Sequence, residues 1–130
     1  MCDTTIIIPP TGITLKPLAG RFNCNSANVV YLLMCCKCPS VSYIGETQTS
    51  FRSRFNNHKV SIRENLNGFP VAEHFNLPDH NLGDLKFAIL QGGFNSAESR
   101  KQQELKLILR CKSQVHGLNK NMSFMAKYGQ

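Results

Sequence analysis

Two short apolar runs joined by a cysteine-rich turn constrain this chain more than any other feature. Asn28–Met34 (NVVYLLM) is β-branched, aromatic and aliphatic, the composition of a strand with a buried face. Val41–Ile44 (VSYI) is a second such run. The connection Cys35-Cys36-Lys37-Cys38-Pro39-Ser40 is too short for a crossover, so the two strands are expected to pair antiparallel as a hairpin. Gly45 is expected to end the second strand.

Beyond the hairpin the pattern turns helical. Phe51, Phe55, Ile62 and Leu66 recur at helical spacing within Thr49–Leu66, and Asn67-Gly68 supplies the stop. Pro70–His80 reads as a loop or a short helix, and Leu85–Leu90 as a third strand closed by Gly92-Gly93. Asn95-Ser96-Ala97-Glu98 has the form of a capping box. It opens a helix over Ala97–Cys111, with Leu105, Ile108 and Leu109 expected inward. This order predicts an α+β fold, a small, mainly antiparallel three-stranded sheet flanked by helices.

With 130 residues the chain has the size of one domain and needs no disulfides to bury a core. Residues 1–20 are broken by Pro9, Pro10, Gly12, Pro17 and Gly20 and read as an irregular arm, with one edge strand at Ile13–Leu15. The globular part is expected to span 21–130. No apolar run reaches bilayer length, and Ile6–Ile8 is too short for a secretory signal, so no membrane partner and an intracellular setting are expected. A net charge of +7, from 15 Lys and Arg against 8 Asp and Glu, favours an anionic partner, nucleic acid above others.

The 6 cysteines are Cys2, Cys24, Cys35, Cys36, Cys38 and Cys111. Without a secretory signal they read as metal ligands or free thiols. Cys35-x-x-Cys38 at a hairpin turn is the usual first half of a structural zinc site, and His74 with His80 offers a second half. Cys36 competes with Cys35 for that role, and Cys24 is a further candidate.

Tyr43-Ile44-Gly45 follows Val29-Val30-Tyr31 on the neighbouring strand. Arg54 and His58 share one helix face, Glu104 lies on the last helix, and Gly117-Leu118-Asn119 lies just beyond it. Taken alone, a strand tyrosine is ordinarily packing, and Glu104 could pair with Arg100. In series, over roughly residues 28–120, these residues resemble the GIY-YIG nuclease superfamily, with Val29 where the first motif has glycine. Gly20–Ser26, the cysteine turn, Val71–Phe75 with His80, and Gly117–Asn119 are similar to the endonuclease domain of Penelope-like retroelements.

The resemblance implies a metal-dependent DNA endonuclease that leaves a 3′-hydroxyl and nicks target DNA to prime reverse transcription. It implies Glu104 as the ligand of a catalytic Mg²⁺ or Mn²⁺, and Arg54 on the phosphate. Tyr31 would be the general base, Tyr43 would orient the water or phosphate, His58 would relay a proton, and Asn119 would hold the site by hydrogen bonds. It also implies an inserted Cys-Cys-His-His zinc motif, for which Cys35, Cys38, His74 and His80 are the candidates. Expected phosphate contacts are Lys59, Arg63, Arg100 and Lys101, with Lys106, Arg110 and Lys112. A reverse transcriptase domain would accompany it in a parent retroelement protein. The chain has no room for one, so it reads as an excised domain or a stand-alone relative, and a nuclear location follows from the DNA target. The alternative is a catalytically silent, zinc-stabilised DNA-binding module derived from such a nuclease.

Overall fold

The computed structural model describes residues 6–8, 13–15, 25–66, 68–111 and 118–119. Its central element is β3 (Val29–Cys35), which pairs antiparallel on one side with β4 (Cys38–Thr47) and on the other with β5 (Leu85–Gln91). The strand order is β4-β3-β5, the three-stranded antiparallel sheet expected from the sequence. Being central, β3 is covered on both faces and reads as an unbroken apolar run.

Strand periodicity divides that run between two layers. Val29, Tyr31, Leu33 and Cys35 face α1 (Phe51–Arg63) and α2 (Pro70–Phe75), packing with Phe51, Ile62, Val71 and Phe75. Val30 and Leu32 face α3 (Ala97–Cys111), packing with Ile44, Leu107, Ile108 and Cys111. Leu32, Ile44 and Ile108 have no exposed surface, and each such side chain contributes roughly 1.5–3 kcal/mol by burial. Leu109, expected inward, is 43% exposed, and Leu107 takes its place on the buried stripe.

Several boundaries differ from expectation for local reasons. Helix α1 ends at Arg63 rather than Leu66, because Asn65 takes a left-handed conformation (φ 50°) that asparagine tolerates. Asn76 then donates to the carbonyls of Ile62 (2.9 Å) and Ala72 (2.7 Å), tying the end of α1 to α2. Ser96 caps α3 by accepting from the backbone of Ser99 (3.1 Å), so the third residue of the cap is Ser99 and not Glu98. In the N-terminal arm, β2 (Ile13–Leu15) is the expected strand, but it pairs antiparallel with β1 (Ile6–Ile8) rather than standing in an irregular segment. Among the described residues no helix is long and apolar enough to cross a membrane.

One ionic cluster fixes α3 on the sheet. Arg100 is 4% exposed, and its guanidinium donates to the Glu46 carboxylate and to Asn28 Oδ1 (2.9 Å). Lys101 donates to the other Glu46 oxygen (3.2 Å). Burial works against ionising Glu46, but the hydrogen bonds from Arg100 and Lys101 outweigh it and hold the carboxyl below its ordinary range. Removing one partner strands a buried charge, which costs far more than the pair itself is worth. Glu46→Ala is therefore expected to destabilise the fold by about 3–5 kcal/mol in urea unfolding, with much of the loss recovered in Glu46→Ala/Arg100→Met. Loss below about 1 kcal/mol would show that the cluster is not structural.

Candidate active site

The outer edge of β4 gathers the site. Strand order leaves that edge without a neighbouring strand in the sheet, and a bare row of backbone donors and acceptors must find partners. Leu118 donates its N–H to the Ser42 carbonyl (2.8 Å). The Asn119 amide then behaves like one residue of a strand. Its Oδ1 accepts the Ile44 N–H and its Nδ2 donates to the Ile44 carbonyl, each at 2.8 Å. One pleat further on, the Glu104 carboxylate from α3 lies close to the Glu46 backbone. Asn119 and Glu104 are thus carried to the same edge, two strand residues apart.

Tyr43 directly precedes Ile44 on β4, on the α1 face of the sheet. Tyr31 stands beside it on β3, with ring centroids 6.4 Å apart. Tyr31 pairs with Gly45 in the β3–β4 ladder, and its ring lies over that glycine. A Cβ at position 45 would overlap the Tyr31 hydroxyl and ring, so glycine is required there. Gly45 was expected to end its strand. Instead β4 runs on to Thr47, because the glycine makes room for a cross-strand ring rather than a turn.

Helix α1 brings the remaining groups. Ser50 caps it, accepting from the Ser53 N–H (3.2 Å), and the Phe51 N–H is anchored on the Ser26 carbonyl (2.8 Å). His58 Nε2 lies 2.8 Å from the Tyr31 hydroxyl, and its ring packs edge-on against both tyrosines. Arg54, one turn earlier, is close enough to act electrostatically on Tyr31, Tyr43, His58 and Glu104. Its Nε is buried with no hydrogen-bond partner among the described residues, an orphaned donor in a site with positive charge to offer.

A cleft of about 240 Å³ opens here, walled on one side by Tyr43, His58, Glu104 and Asn119. The structure therefore brings the six expected site residues together, with Tyr43, His58, Glu104 and Asn119 at the cleft. Tyr31 is 1% exposed and sits behind them. Burial and neighbouring Tyr43 drive its pKa upward, the opposite of what a solitary general base needs. Tyr31 as general base, expected from the resemblance, therefore needs its proton passed on, and His58 lies within hydrogen-bond distance of its hydroxyl. Burial and Arg54 push His58 down to about 4, so it is neutral at pH 7 and able to accept. Burial raises Tyr43 to about 12, with Glu104 adding to it.

Glu104 is the most perturbed acid. Burial and the nearby Glu46 charge raise it to about 8, so without a counter-charge it is largely protonated at pH 7. A divalent cation beside it reverses that balance, and one carboxylate with waters suffices for Mg²⁺ or Mn²⁺. The donor set fits such an ion.

A second cluster lies at the hairpin tip. The ligand atoms of Cys35, Cys38, His74 and His80 all fall within 4.8 Å of one another. His80 Nδ1 lies 2.9 Å from the Pro78 carbonyl, to which it can donate, and that leaves Nε2 toward Cys38 Sγ at 3.4 Å. His74 Nε2 is buried and unpartnered. Two thiols, one oriented imidazole and one orphaned imidazole nitrogen fit a tetrahedral zinc ion. Cys36 points away and is exposed, its N–H donating to the Asp84 carbonyl (2.9 Å). Cys24 lies outside the described residues.

Among the expected phosphate contacts, Arg63, Lys106 and Arg110 are exposed, and Lys59 is half-buried with its ammonium 5.2 Å from the Phe55 ring centre. Arg100 is a correction: it is buried and consumed by Glu46 and Asn28, so it cannot meet a phosphate. Lys101 retains 38% side-chain exposure beside Glu46. Lys112 and Gly117 lie outside the described residues. Glu46 itself escaped the sequence reading, because its partners are 54 and 55 positions away.

No protein-family model matches the chain, and no curated protein matches it. A solved structure of the catalytic domain of homing endonuclease I-TevI does match, with a TM-score of 0.59. The chain has the GIY-YIG fold. The match covers 70% of this chain and 95% of that one at 14% identity, so the likeness is one of fold. Within this GIY-YIG domain the raised acid gives a direct test. A glutamate held above its unfolded pKa stabilises the fold below that unfolded value and loses the contribution as pH rises through the folded one, here about 8. In magnesium-free buffer, Glu104→Gln is expected to unfold at a higher temperature than the parent at pH 8, and at nearly the same temperature at pH 5. Equal pH profiles would show that Glu104 is not buried as described.

Proposed function

We propose that this domain is a metal-dependent DNA endonuclease. The observation that carries the reading is the convergence of Tyr43, His58, Glu104 and Asn119 on one cleft, with Tyr31 and Arg54 behind it, in a fold shared with a nuclease catalytic domain. The +7 charge supports a polyanionic substrate.

The chemistry follows from what each group can do. A divalent cation at Glu104 supplies Lewis-acid stabilisation of the phosphate and of the departing 3′-oxygen. Arg54 holds the phosphate by charge and planar donors, which its orphaned Nε leaves unspent. Neutral His58 accepts the proton of the attacking water, directly or through the Tyr31 hydroxyl. Tyr43, protonated across the physiological range, donates to the water or to a phosphate oxygen. Asn119 acts on the scaffold, holding Ile44 and so the placement of Tyr43. On the resemblance to GIY-YIG nucleases, hydrolysis leaves a 3′-hydroxyl.

On this reading Cys35, Cys38, His74 and His80 hold a structural zinc ion. The resemblance to Penelope-like endonucleases extends the proposal to nicking of nuclear target DNA beside a reverse transcriptase domain.

Two measurements test the proposal. Glu104→Ala is expected to lower plasmid nicking in Mg²⁺ or Mn²⁺ by at least ~100-fold while salt-sensitive duplex binding persists, since it removes charge stabilisation specific to the transition state. A parent protein that binds DNA but never nicks supports instead the silent DNA-binding module. For the second site, purified protein is expected to carry about one zinc per chain, and chelation to lower the unfolding midpoint without unfolding the domain. Undiminished thermal stability after metal removal would eliminate the structural zinc.

A further inference from the structure

The cleft has an apolar part of its lining that the proposed hydrolysis does not use. Beside the polar groups it is lined by Phe69, Pro70, Val71 and Leu118. Val71 is buried and belongs to the core, but Phe69 is 55% exposed.

Phe69 has no evident folding role. It occupies the N-cap of α2, where a Ser, Thr, Asp or Asn side chain would accept a backbone hydrogen bond, and it makes no such bond. The position thus forgoes an ordinary source of helix stability. The backbone around it is nevertheless held firmly. Gly68 takes a left-handed φ of 85° and donates its N–H to the Glu73 carboxylate (3.2 Å). The Glu73 N–H in turn donates to the Phe69 carbonyl (2.9 Å), and Pro70 fixes the first turn. A rigid turn presents an exposed aromatic ring to the same cleft that Tyr43, His58, Glu104 and Asn119 line.

We infer that the Phe69–Pro70–Val71–Leu118 wall is a nucleobase subsite, on which Phe69 stacks an unpaired base of the strand bound at Glu104 and Arg54. The inference rests on the nuclease reading and specifies its substrate: DNA with a locally unpaired nucleotide. Aromatic faces stack bases of any identity, so this wall selects for unpairing rather than for sequence. At about 240 Å³ the cleft is smaller than the ~300–1,000 Å³ pockets that take drug-sized ligands, and suits one planar ring. A base inside an intact duplex is stacked on both faces and cannot reach it without leaving the helix.

The test is binding of fluorescent DNA in Ca²⁺, where cleavage is not the readout, with nicking in Mg²⁺ measured separately. Three probes are compared: a fully paired duplex, the same duplex with a short central bubble, and that bubble with abasic nucleotides. The parent is expected to bind the bubble about tenfold more tightly than either control, a preference lost in Phe69→Ala and kept in Phe69→Tyr. Because Phe69 is exposed, both variants should keep the parent's unfolding midpoint. Equal affinity for all three probes, or a bubble preference that survives Phe69→Ala, overturns the subsite. If Phe69→Ala instead dissociates a dimer without changing DNA affinity, the ring is a self-contact and the inference falls. A parent that nicks without bubble preference defeats the subsite alone. A bubble preference without nicking upholds the subsite and defeats the catalytic reading.

Discussion

The unpaired edge of β4 is the constraint on which the site depends. Ser42 and Ile44 present backbone groups outward, and each is satisfied by a residue that also lines the cleft, Leu118 and Asn119, with the Glu104 carboxylate close to the Glu46 backbone beside them. Leaving such groups bare would cost about 1–3 kcal/mol apiece in a buried setting. The same hydrogen bonds that close the edge therefore set the scaffold for Tyr43. Blocking the edge also protects it from pairing with another chain.

Against that economy stands an electrostatic cost. Glu104 is buried beside another carboxylate, Tyr31 is driven upward, and His58 is driven downward. A chain built for stability alone would not place these groups together. Glu46 reconciles part of the conflict. Its side chain is neutralised by Arg100 and Lys101, while its backbone lies close to Glu104, one helical turn further along α3. The two carboxylates are thus fixed in relation to one another by a single residue of β4.

Much of this was legible from residue types. The apolar runs at 28–34 and 85–90 announced their strands to within a residue, and the hairpin followed from the shortness of the turn. Strand parity even separates the cysteines: Cys35 is in phase with Tyr31 and Leu33, on the α2 side, whereas Cys36 is out of phase. What escaped were pairings of distant parts. Gly45 looks like a stop until the register sets Tyr31 over it. Arg100 looks like one more surface cation until Glu46 and Asn28 are folded against it. No local pattern encodes such meetings, since they depend on which side of the sheet α3 packs.

The hairpin tip carries two fastenings of different kinds. Beside the cysteine and histidine cluster, Lys37 donates to the Asp79 carbonyl and forms an ion pair with Asp84 at 3.4 Å. That second fastening asks nothing of a metal, so the tip and the loop after α2 meet before any ion arrives. Gathering four ligands normally carries an entropic charge that the metal must overcome, as in small domains that are unfolded without it. Here much of that ordering precedes loading. The cluster would then exchange its ion like a lock whose pins are already aligned, with the rate of capture governed by access and thiol deprotonation rather than by folding.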